Sequence, residues 1–418
     1  MEVFIKTTII FFFITYSRCM RSKLEEVFSW KIIDFDFPSI EKREIAIKNK
    51  SFIPENNQLM GLEVWKNKLF VSLPPWRTGL AATLAFIDLD HISEIEGKSP
   101  KLKPYPNWET HDLRNSTKGN KLANVIRLNV DHCGRLWVAD RGIINIMGSR
   151  DRIHSPKIQI FDAETDEVLK VYNIPDDMIN DYSFFGSIVA DVSTSDCAKA
   201  YAYVSDLRAN ALFVYSLEQD DMWRVEHHFF HFEPLSGNYI VGDVNFQWTD
   251  GIIGISLSPE QADGYKILYF CPMSSTRLFA VSTRIIQNNT IDWSSWNNTD
   301  IYYQFEVIGN RGAFMQSTTS TIDSESGIMF YTLLCQDTIA CWNPKNEYSI
   351  NGQGVIARDK KTLSYPNDVK VDKNGILWVL SNRLHQFVFT GQNFSDINFR
   401  IFRVPVHEAI RGTVCEKN

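Results

Sequence analysis

One pattern constrains this chain more than any other: a short strand, a polar turn and a second, more apolar strand, repeated six times. Residues 60–65 turn at Lys66-Asn67 into Leu69-Phe70-Val71, and residues 125–130 turn at 131–134 into Leu136-Trp137-Val138. Residues 187–192 lead into 201–204, 251–257 into 267–270, 317–322 into 328–331, and 368–371 into 376–379. β-Branched and aromatic runs bounded by Gly, Asp, Asn and Pro read as strands, and convincing amphipathic helices are few. The copies recur roughly every 50–70 residues, which leaves room for one four-stranded propeller blade each. In the two closest copies, 130–138 and 371–379, Gly134 and Gly375 stand at the same offset, where a short hairpin loop calls for positive φ. Two stacked β-sandwiches would not require six similar hairpins. The pattern predicts an all-β fold, a six-bladed β-propeller. A ring must hide its last edge, and residues 29–37 (SWKIIDFDF) are expected to close the last blade as an N-terminal strand.

The bulk properties agree with a globular, exported protein. The 418 residues are 44% hydrophobic and 22% charged, a folded balance. A net charge of -7 argues against a nucleic-acid partner, which needs a basic face. No run of like charge suggests a polybasic membrane anchor. Lys6 precedes an apolar stretch, 7–16, too short to span a bilayer, and Ser17 and Cys19 place small residues where a signal peptidase reads. Residues 1–19 are therefore expected to be a signal peptide, leaving 20–418 as a single secreted, extracellular propeller domain with no membrane span. Without Cys19 the cysteines are Cys133, Cys197, Cys271, Cys335, Cys341 and Cys415, an even set with no CxxC pair, suited to an oxidising compartment. Sequons at Asn49, Asn115, Asn288, Asn297 and Asn393 are candidate glycosylation sites.

A propeller presents the starts of its innermost strands to the central channel, the usual ligand site. The polar and aromatic residues at those starts are Asn124, Arg127, Phe185, Trp248, Asp250, Phe314, Gln316, Asn367 and Asp368, with Asn382 nearby in sequence but not placed among them. Aromatic faces with one or two carboxylates suit a protonated aromatic amine, through stacking, cation–π contact and an ion pair. Ordinary roles compete: Asp and Asn at strand starts often satisfy turn backbones. In the run EHHFFHF, His227 and His231 on an outer strand would lie roughly 13 Å apart at about 3.3 Å per residue, too far to share a metal. Hydrolase, zincin and P-loop motifs do not occur, and neither a cofactor nor a resident metal is expected.

Several ordered motifs resemble the insect yellow / major royal jelly protein family. They begin with Pro74-Pro75-Trp76-Arg77-Thr78-Gly79, Ala82-Thr83-Leu84 and Lys103-Pro104-Tyr105-Pro106. The most recognisable is Cys133-Gly134-Arg135-Leu136-Trp137-Val138 with Asp140 and Gly142. Asp250-Gly251-Ile252, Leu257-Ser258-Pro259, Phe279-Ala280-Val281-Ser282-Thr283, Ala340-Cys341-Trp342-Asn343, Asn367-Asp368-Val369-Lys370 and Leu377-Trp378-Val379-Leu380-Ser381-Asn382-Arg383 continue it. Pro75 stands where the family usually has Arg, and Ala81 where it often has Pro. The resemblance implies disulfides Cys133–Cys197 and Cys335–Cys415, with Cys271 and Cys341 left open. It also implies a role in melanin pigmentation, cuticle or eggshell formation, with a small aromatic amine or indole as ligand and extracellular matrix or cuticle as partner. A dopachrome-converting isomerase is the enzymatic alternative, with Asp250 and Asp368 as acid/base candidates. A calcium-dependent lactonase, as in unrelated six-bladed propellers, is a third, with Asn124, Asp250, Asn367 and Asp368 offering oxygen ligands.

Overall fold

In the computed structural model, residues 23–90, 97–115, 119–293, 295 and 299–416 are described. The expected signal peptide and Asn297 lie outside them. Each of the six sequence pairs forms the inner two strands of a four-stranded antiparallel sheet. The innermost strands are Gly61–Trp65, Val125–Val130, Phe185–Val192, Ile252–Leu257, Ser320–Ile322 and Pro366–Val371, of blades 1 to 6 in turn. Each touches the next, and that of blade 6 touches that of blade 1, so the six sheets form a closed propeller.

The local chemistry of the two closest copies explains their hairpins. Asp131 accepts hydrogen bonds from the Cys133 and Arg135 amides (2.9 and 3.0 Å) with one oxygen and from the Trp137 indole (2.8 Å) with the other. Asp372 does the same for Asn374, Ile376 and Trp378 (2.8, 3.0 and 2.9 Å). Gly134 (φ +82°) and Gly375 (φ +68°) supply the left-handed position that closes each loop.

Strand alternation then builds the core. Second strands are buried on both faces, so Leu69 and Val71 pack towards blade 6 while Phe70 packs towards blade 2. One apolar layer fills each of the six interfaces between neighbouring blades.

Ring closure comes from the N-terminus, by a segment displaced from the expected one. Glu25–Trp30, not residues 29–37, pairs antiparallel with Phe399–Pro405 of blade 6. Its Val27, Phe28 and Trp30 enter the layer between blades 6 and 1. Beyond Trp30 the chain leaves the sheet, and Phe35 only bridges Leu102 of blade 1. Apolar alternation continues through Ile33 and Phe35, which is why the sequence alone extends the strand too far.

The cysteines correct one expected pair. Cys133–Cys197 is formed, tying the inner hairpins of blades 2 and 3. Cys415 bonds Cys341, not Cys335. Cys335 lies in the short turn Leu334–Gln336 at one end of a blade 5 strand, whereas Cys341 lies towards the other end of Thr338–Trp342, where the C-terminal residues dock. Cys271 and Cys335 are free thiols. The histidine run is also placed differently: His228–Phe230 form a 3-10 turn after the outer strand Asp221–Glu226, and His227 is buried, stacked on Phe305 at 3.9 Å. Among the described residues no helix is long and apolar enough to cross a membrane.

Candidate functional site

The two ends of the channel differ. At the end where the innermost strands finish, it opens into a cavity of about 470 Å³ lined by Glu63, Trp65, Asn129, Lys370 and Lys373 among others. Burial holds the Glu63 carboxyl above its ordinary range, offset only in part by Lys370, 3.5 Å away. At the end where the strands start, a hairpin, Asn238–Val241 and Val244–Gln247, and a short helix, Leu384–Phe389, form a lid. The Phe246 ring stacks on Phe389 (4.6 Å between centroids) and on Tyr239 (5.1 Å). The signal for this hairpin was present: a two-residue Gly242-Asp243 turn between Tyr239-Ile240-Val241 and Val244-Asn245-Phe246.

Under the lid the structure brings three of the expected residues together. The Arg127 guanidinium forms a buried ion pair with Asp368 and donates to the Asn367 carbonyl at 2.7 Å. Asp368 also accepts from the Leu62 and Val369 amides (2.9 and 3.0 Å), so its carboxylate is fully engaged. The Asn367 amide donates to the Met60 carbonyl. Asn382 joins this group after all, donating to the Leu59 carbonyl at 2.7 Å.

The others are dispersed. Asn124 is buried and donates to the Ile143 carbonyl (2.7 Å). Gln316 ties blade 5 to the lid, donating to the Ser236 and Asn238 carbonyls (2.9 and 3.0 Å). Phe185 packs between blades 2 and 3, edge-on to Phe213. Phe314 is 47% exposed, in a left-handed turn (φ +57°).

Trp248 and Asp250 form a hydrogen-bonded pair at this end. The Trp248 indole donates to the Asp250 carboxylate, and its ring lies edge-on to Phe246 and Phe389, each at 5.8 Å. Burial pushes the Asp250 carboxyl up to about 6, against the pull of the Trp248 hydrogen bond and the Arg208 charge. Phe389 is 44% exposed, so this aromatic wall faces solvent on one side. A carboxylate beside aromatic rings can accept an ammonium group and a ring together. With a pKa near neutrality it can also exchange a proton. Phe246 and Phe389 were not among the residues expected from sequence.

In the oxygen set named for calcium, Asp368 is already held in an ion pair. The Arg127 guanidinium already neutralises Asp368, and a second cation beside it would be repelled. Among the described residues one cluster has metal-ligand spacing, His132, Cys133 and Cys197, and its two sulfurs are joined as a disulfide.

The model of the family described as Major royal jelly protein matches residues 123–415. Protein yellow of Drosophila yakuba is 39% identical over 399 residues, covering 94% of this chain and 71% of its own. Protein yellow of Drosophila melanogaster is 38% identical with the same coverage. Virginiamycin B lyase from Staphylococcus aureus, a solved structure, aligns over 85% of this chain and 97% of its own at 10% identity and a TM-score of 0.43, too loosely to inform the site. By the extent of the family match and of the yellow relatives, the chain belongs to the major royal jelly protein family.

Proposed function

We propose that this protein is an exported binding protein of melanin, cuticle or eggshell biology, and that it takes a small aromatic amine or indole at the lidded end of its channel. The observation that carries the reading is the Asp250 carboxylate held by the Trp248 indole beside Phe246 and Phe389. An ammonium group would pair with Asp250 while its ring stacks in the aromatic wall. The yellow relatives supply the biological setting, and two disulfides fit an oxidising compartment. Asn49, Asn288 and Asn393 are exposed, as glycosylation of an exported chain requires. Titration calorimetry with dopamine, serotonin and octopamine tests the binding: saturation in the wild type and its loss in Asp250→Asn are expected, and equal binding by both proteins would refute the assignment.

One observation favours a second reading, a dopachrome-converting isomerase. A carboxyl group near 6 can take a proton from one position of an activated indole ring and return it to another at neutral pH. Dopachrome decay faster than with heat-killed protein, and abolished in Asp250→Asn, would decide for it. Asp368 is fully engaged by Arg127 and two amides and is not retained as its partner.

A further inference from the structure

Phe185, expected at the channel, instead helps line a separate pocket of about 330 Å³ on the lid face, between blades 2 and 3. Its other walls combine three arginines, Arg141, Arg150 and Arg152, with the apolar Ile143, Pro156 and Ile179. We propose that this pocket binds a small organic anion, a carboxylate carried on a compact apolar body.

The arginines are arranged to receive a charge. Arg141 is only 4% exposed, and its Nη1 is buried without a hydrogen-bond partner. Among the described residues its Nη2 donates to the Asp181 backbone carbonyl, at 3.4 Å, and the guanidinium lies 5.5 Å from the Phe184 ring centre. Arg150 donates to the same carbonyl at 2.9 Å, so one backbone oxygen holds both guanidiniums beside the pocket. Burial, together with the like charges of Arg150, Arg208 and Arg152, pushes the Arg141 guanidinium down to about 10. An anion seated among them would offset the like-charge repulsion and favour the charged guanidinium.

Three aspartates stand near the three arginines, but among the described residues none forms an ion pair with Arg141 or Arg150. Asp176 pairs with Arg152 (3.0 Å). Asp206 partly offsets Arg141, but one of its oxygens is spent on the Phe184 and Ala209 amides (2.8 and 3.1 Å). The exposed Asp181 carboxylate stands at the rim. A volume near 300 Å³ with mixed walls matches a small molecule rather than a bare ion. Paired guanidinium donors fit a planar carboxylate well. The site is independent of Asp250 and of the amine reading.

Titration calorimetry of the intact protein with phenylacetate, phenylacetamide and inorganic phosphate tests the proposal. Phenylacetate should bind saturably, and the neutral amide and the phosphate at least about tenfold more weakly. Arg141→Gln should weaken phenylacetate at least about tenfold. Because Arg141 is buried, Arg150→Gln at the rim serves as a second variant; it should weaken phenylacetate severalfold at an unchanged melting temperature. Binding of the amide or of phosphate as tight as that of phenylacetate, unchanged affinity in both variants, or no saturable heat would each overturn the proposal.

Discussion

Arg127 on the innermost strand of blade 2 and Asp368 on that of blade 6 form a buried ion pair that reaches past blade 1, whose Leu62 amide also donates to Asp368. Three blades, including the one that closes the ring, thus meet at one carboxylate. Replacing Asp368 with Ala strands a buried guanidinium and should destabilise the fold by about 3–5 kcal/mol, read from denaturant unfolding. The double variant Arg127→Met/Asp368→Leu should recover most of that loss, since well-packed apolar groups replace buried ion pairs at little cost. Equal destabilisation in the single and double variants would contradict this role.

Closure by Glu25–Trp30 makes a second prediction. Trp30 is buried between blades 6 and 1, and its indole donates to the Pro100 carbonyl at 2.8 Å. Trp30→Ala should cost about 3–5 kcal/mol. Deleting residues through Trp30 exposes the edge of Phe399–Pro405 and should lower the melting temperature of the whole domain. An unchanged melting temperature would show that closure does not depend on this strand.

The cysteine assignment is open to direct chemical test. Peptide mapping without reduction should recover Cys133 linked to Cys197 and Cys341 linked to Cys415, with Cys335 alkylated only after unfolding. Burial pushes the Cys335 thiol up to about 11, which keeps it unreactive in the folded protein. Cys415→Ser should destabilise by about 2–5 kcal/mol, whereas Cys335→Ser leaves the disulfide content unchanged. A peptide joining Cys335 to Cys415 would contradict the fold at blade 5.

The pH dependence of amine binding follows from Asp250. Its folded value, about 6, lies above the ordinary carboxylate range, so the charged form that pairs with an amine is complete only above that pH. Affinity should be flat above neutrality and fall about tenfold between pH 7 and pH 5, while the amine itself stays protonated. The same shift makes ionised Asp250 a cost to folding: stability should decline as pH rises through 6, and Asp250→Asn should remove that slope. Calorimetry and thermal melts across this range check both.

The blades were legible in the sequence because their determinants are local. Asp131, Gly134 and Trp137 shape one hairpin within seven residues, and Asp372, Gly375 and Trp378 repeat it. The site was only partly legible. Trp248 and Asp250 stand two residues apart, but Phe389 reaches them from a distant helix that periodicity does not position. Register irregularities near the starts of four innermost strands, at 125/128, 185/187, 252/254 and 366/368, break the two-residue alternation. Counting side chains from a strand start then misassigns faces. That is why Phe185 turned out to sit between blades 2 and 3 while Asp368 faces the ring. The Cys341–Cys415 bond was hidden for a related reason, because the docking of the C-terminal residues is set by long-range packing against blades 5 and 6.

The most direct test of the account is a crystal structure of the protein with serotonin bound. The account predicts electron density for the indole ring against Trp248, Phe246 and Phe389, with the ammonium nitrogen about 2.7–2.9 Å from the Asp250 carboxylate. Serotonin seated instead in the cavity around Glu63 and Lys370, or absent at saturating concentration, would contradict it.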